Sequence, residues 1–114
     1  MNAMSQFEYL YGISETDVRK DCILVPFLTQ GLLKSFGISK LQKGKLYASA
    51  STSQCTLICT GVGASMCGDC VLGLDSTEAE NIYFIGACGA LASAQFQLGD
   101  VVIPKYAISV ESFS

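Results

Sequence analysis

Gln54-Cys55-Thr56-Leu57-Ile58-Cys59-Thr60-Gly61-Val62-Gly63 sets an apolar run of strand length directly against a Gly-x-Gly turn. From Ala64 to Leu74 small and apolar residues dominate, as a helix packed tightly on a sheet requires. The reading is a buried strand, a glycine turn and a helix, the repeating unit of an α/β fold. Upstream, Lys45 to Ala50 reads as a second strand, joined to the first through the polar turn Ser51-Thr52-Ser53 as a hairpin.

Working outward, Cys22-Ile23-Leu24-Val25-Pro26-Phe27-Leu28 is a continuous apolar stretch, and Pro26, which lacks a ladder donor, marks its end. Leu32, Leu33 and Phe36 then fall at helical spacing before Gly37, so the stretch from Thr29 to Phe36 is expected to be a short helix. Residues 5–20 mix aromatic and acidic residues without a period and predict an edge segment or a short helix. Glu80 to Gly86 (E-N-I-Y-F-I-G) is expected to be a further buried strand, and Leu98-Gly99-Asp100 to turn into a strand from Val101 to Pro104. The order β-α-β-β-α-β-β argues for a mixed sheet with helical cover.

The composition, 50% hydrophobic and 15% charged over 114 residues, is that of one globular domain. A chain of this length buries only about two thirds of its extended surface. The apolar load is therefore heavy for an isolated domain, and alternating strand material from Val102 to Phe113 runs on without a closing helix or polar tail. The expectation is a single domain over residues 1–114 that is the front part of a larger body. Met4 offers a second start, so residues 1–3 carry no structural weight. A net charge of −3, with seven Lys and Arg scattered singly, offers no stripe for a phosphate backbone and excludes nucleic acid as a partner. No apolar run reaches the roughly 18 residues of a membrane helix, and no secretory leader is legible, so a cytoplasmic protein is expected.

Two turns could carry a ligand. Gly61-x-Gly63 can bring backbone N–H groups and a helix dipole up to an anion or polar group, although a tight turn and close helix packing ask for the same glycines. Met66 stands where a dinucleotide fingerprint needs its third glycine, which argues against a nicotinamide or flavin site. Gly86-Ala87-Cys88-Gly89 lies at the expected C-terminal end of a strand, where ligands of open α/β sheets collect, and its bland reading is a strand-ending turn. Cys67-x-x-Cys70 has no histidine or second Cys pair to close a zinc site, and it follows a turn unlike a thioredoxin setting, so structural thiols are the reading. The six cysteines are read as free, mostly buried thiols and not as three disulfides. With no histidine in the chain, no Ser-His-Asp or Cys-His nucleophile can be assembled from it. No metal and no cofactor is expected.

Taken in order, Thr60-Gly61-Val62-Gly63, then Ile85-Gly86-Ala87-Cys88-Gly89-Ala90-Leu91, then Leu98-Gly99-Asp100-Val101-Val102-Ile103 resemble the signature of the nucleoside phosphorylase and nucleosidase superfamily. The resemblance spans Cys55 to Ile103, with a looser fit from Cys22 to Ala50. It implies a three-layer mixed sheet with flanking helices, frequent homo-oligomers, and cleavage of the N-glycosidic bond of a nucleoside by phosphate or by water. The substrate-contacting positions it points to are Gly61, Gly63, Phe84, Gly86, Ala87, Cys88 and Gly89. No catalytic residue can be assigned, because the family's acid on the base side and its ribose-gripping Met-Glu pair come from a later part of the domain. The sequence also departs from the pattern. Phe84 stands where phosphorylases place an arginine, Ala87 where they place a hydroxyl, Ile108 near a further arginine, and Leu28-Thr29-Gln30-Gly31 where nucleosidases carry a water-activating glutamate. An apolar Phe84 offers nothing to a phosphate dianion that must be desolvated, so hydrolysis is favoured over phosphorolysis for a full-length parent, and these 114 residues alone are expected to be inactive. The rival readings are a non-catalytic nucleoside- or base-binding module on the same scaffold and, more weakly, a small nucleotide-cofactor module.

Overall fold

The structure, a computed structural model, describes residues 4–108. Its first element is α1 (Gln6–Tyr11), opened by the Ser5 hydroxyl accepting from Glu8 N and closed by Gly12 at φ 88°, whose N–H reaches Glu8 O. Serine at the start and a left-handed glycine at the end are the two signals that let six residues hold as a helix. A 3-10 turn (Glu15–Asp17) leads into β1 (Asp21–Val25). Next come α2 (Gln30–Ser35), capped by Thr29 Oγ1 on Leu32 N, and a two-residue strand β2 (Gln42–Lys43). The β3 (Ala48–Ser51) and β4 (Thr56–Cys59) strands form the expected antiparallel hairpin. Helix α3 (Ala64–Gly73) and β5 (Asn81–Phe84) complete the sheet, whose order is β2-β3-β4-β1-β5.

Strands β4, β1 and β5 are mutually parallel, with Leu24 opposite both Ile58 and Phe84. Side chains of a strand alternate between faces, and that alternation divides the core in two. Cys22, Leu24 and Ile58 pack with Tyr11, Tyr47, Cys70 and Leu74 on the side of α1 and α3. Ile23, Val25, Leu57 and Cys59 pack with Leu33, Leu41 and Phe36 on the side of α2. The architecture is therefore a mixed five-stranded sheet between helical layers, an α/β fold.

The first layer is fixed by one buried polar contact. Tyr11 stacks on Phe7 with ring centroids 4.0 Å apart and leans on Tyr47 at 4.7 Å. Its hydroxyl donates to Cys70 O at 2.8 Å. Burial holds the phenol above its ordinary range, so it stays a donor. Removing that donor in Tyr11→Phe leaves the Cys70 carbonyl with its helical partner, the Leu74 N–H, alone, and the expected loss is about 1 kcal/mol in urea unfolding with an unchanged m-value.

Two expectations are corrected. The segment from Glu80 to Gly86 does form a strand, but it is not buried: Ile82, Tyr83, Phe84 and Ile85 are 38%, 54%, 55% and 48% exposed. It sits at the sheet edge, hydrogen-bonded to β1 alone, and the helical layers cover β1 and β4 instead. Val101 to Pro104 has no ladder partner among the described residues and forms no strand, so the last strand of the expected order is missing there. The part of the Val102 to Phe113 reading beyond residue 108 lies outside the described residues. From Asn81 to Ile108 every residue is exposed, and the radius of gyration, 15.6 Å, exceeds the roughly 13 Å of a compact domain this size.

Candidate functional site

Because β4, β1 and β5 run in parallel, the loops leaving their C-terminal ends share one edge of the sheet. Thr60 N donates to Val25 O and Ile85 N donates to Leu24 O, both at 2.9 Å, so the ladder carries the chain to the brink of each loop. From there Pro26 to Thr29, Gly61 to Gly63 and Gly86 to Gly89 depart side by side, with the β1 loop in the middle. The two glycine turns are thus separated by two strand spacings, about 10 Å. Sheets of this kind bind ligands at such an edge.

In the β4 turn Gly61 and Gly63 have φ of 86° and 118°, values that side chains other than glycine rarely adopt. Thr60 is buried, and its Oγ1 donates to Gly61 O at 2.9 Å, fixing the turn from below. Gly63 is the N-cap of α3 and supplies no side-chain cap. The first N–H groups of α3 therefore point outward without a side-chain acceptor, beside exposed Val62, Ala64 and Ser65. Met66 flanks this turn: its Cε lies 3.8 Å from where a Gly61 Cβ would stand.

In the β5 turn the ring of Phe84 folds back over Gly86, so a Cβ on Gly86 would meet Phe84 Cε1 at 2.7 Å. A side chain at position 86 would push the exposed Phe84 ring aside, a close approach the sequence did not reveal. Phe84, Gly86, Ala87 and Cys88 line a cleft of about 480 Å³ whose opposite wall is Asp100 to Ile103. Cys88 and Gly89 continue into a neighbouring cleft of about 490 Å³ shared with Leu91, Phe96 and Leu98. Five of the seven expected contact residues are thus brought together. Gly61 and Gly63 share the sheet edge but line neither cleft.

Asp100, which the sequence places in a turn and in the family signature without a contact role, is the one carboxylate among the described residues that lines both clefts. Its Oδ2 accepts from Gln97 N at 2.9 Å, and its own N–H reaches Gln97 O at 3.1 Å across Gly99 at φ 91°. The carboxylate is thus engaged in closing its own turn. No Lys or Arg among the described residues lines either cleft. Among the described residues no group of three or more His, Cys, Asp or Glu is placed to hold a metal, and no helix is long and apolar enough to cross a membrane.

The Cys67-x-x-Cys70 pair lies within α3, and Cys70 is fully buried in the core. Burial pushes its thiol up to about 12, and that of Cys22 up to about 11, so both are protonated near neutrality and poor nucleophiles. All six cysteines are free thiols, and Cys88 alone is exposed.

The family model described as the phosphorylase superfamily matches residues 21–114, from the first residue of β1 onward. Neither the curated proteins nor the solved structures gave a match. The match covers all five strands and both glycine turns, and on that evidence this chain belongs to the phosphorylase superfamily.

Proposed function

We propose that the chain binds a nucleoside, a purine nucleoside first among them, along the C-terminal edge of β4, β1 and β5. Gly61, Gly63, Phe84, Gly86, Ala87, Cys88 and Gly89 form the contact surface. Where the N-glycosidic bond is cleaved, water and not phosphate is the acceptor. The observation that carries the reading is the character of the β5 cleft, which is walled by Phe84, Ile85, Val101 and Val102 and is lined by no Lys or Arg among the described residues. A flat apolar base gains from such walls, through burial and stacking on an aromatic ring. A phosphate dianion would lose its hydration there with no charge to replace it.

A non-catalytic binding role is favoured by a second observation. Among the described residues the one carboxylate lining the clefts, Asp100, is held by the Gln97 N–H, and the chain has no histidine, so the described lining of the clefts offers no unengaged general acid for the leaving base. Release of free base from adenosine or inosine, followed chromatographically with and without phosphate, separates the readings. Release that is equal in both buffers supports hydrolysis, and none in either supports the binding module. Absolute dependence on phosphate would overturn the proposal that water is the acceptor.

Self-association belongs to the same proposal. Ile82, Phe84, Leu91, Phe96, Leu98 and Val101 are between 38% and 105% exposed, and a free strand edge next to so much apolar surface favours contact with another copy. Light scattering at micromolar concentration is expected to give at least twice the mass of one chain; a clean monomer would remove this part of the reading. A cytoplasmic location is proposed from the six free thiols, which suit a reducing compartment, and cell fractionation checks it.

A further inference from the structure

We draw no further inference here: the strongest candidate, the exposed apolar face formed by the free edge of β5 and residues 91–108, carries nothing beyond the self-association already proposed, because nothing in the structure shows which surface covers it.

Discussion

Leu24→Ala is expected to destabilise the fold by about 3 kcal/mol, within the range seen when a large aliphatic side chain is deleted from a core. Leu24 is fully buried on β1, an interior strand, and lies between Ile58 of β4 and Phe84 of β5. Its side chain belongs to the cluster built by Tyr11, Ile58, Cys70 and Leu74, so truncation opens a cavity where α1, α3 and the sheet meet. The backbone there is tied to strands on both sides and cannot collapse into the gap. Denaturant unfolding checks the figure, with Leu72→Ala as the control: Leu72 is 75% exposed on α3, and its truncation is expected to stay within about 0.5 kcal/mol. Equal effects at the two positions would mean that the core does not lie where the burial pattern puts it.

Gly12→Ala is expected to cost a similar amount by another route. Gly12 ends α1 at φ 88°, so any side chain there is strained by roughly 1–2 kcal/mol. A Cβ would also stand 2.8 Å from Gln42 C and 2.9 Å from Gly44 N, backbone atoms that cannot swing aside. Gly44 mirrors this, since a Cβ on it would meet Leu10 C and Gly12 N. The two glycines face each other where the end of α1 crosses the turn after β2. Around this crossing Lys45 N donates to Tyr9 O, and Leu46 N and Tyr47 N donate to Leu10 O. Strain and overpacking together come to about 3 kcal/mol. For a domain of this size that is a fall in Tm on the order of 10 °C. Scanning calorimetry of Gly12→Ala against Gly37→Ala isolates the crossing. Gly37 also has positive φ, 69°, but a Cβ there meets nothing within 4 Å, so its change should show the strain alone.

The parts of the fold that were legible in the sequence are those where one signal had no competitor. The strand through Ile58, the Gly61-x-Gly63 turn and the helix from Ala64 read correctly because an apolar run, a double glycine and a small-residue segment each allow one structure. Thr29 and Gly37 bracket α2 for the same reason, a side-chain cap at one end and a left-handed glycine just past the other. The helix over Gln6–Tyr11 was harder to read, although Ser5 and Gly12 signalled both of its ends. Its aromatic residues serve packing against Tyr47 and Cys70, and such contacts leave no period in six residues. Two polar residues forming β2 are too few for any periodicity to register.

Burial of β5 was misread because composition reports what a strand would gain from cover and not whether cover is there. Ile82-Tyr83-Phe84-Ile85 is as apolar as Cys22 to Val25, yet the first stretch lies at the edge and the second in the interior of the sheet. Neighbours decide that, and neighbours are set by the crossover through α3, which carries the chain past β1. At the candidate site the glycines and small residues were legible as a turn. The Phe84 ring folded on Gly86 and the capture of Asp100 by its own turn were not, because both depend on side-chain placement across a turn.

The central claim, a nucleoside site that dispenses with phosphate, is tested most directly by calorimetric titration of the chain with adenosine in phosphate-free buffer, repeated with phosphate present and with Ala87→Trp, which fills the cleft beside Phe84. The account predicts saturable binding that phosphate leaves unchanged and that Ala87→Trp weakens at least tenfold, about 1.4 kcal/mol. Binding that appears only with phosphate, or no binding under either condition, would contradict it.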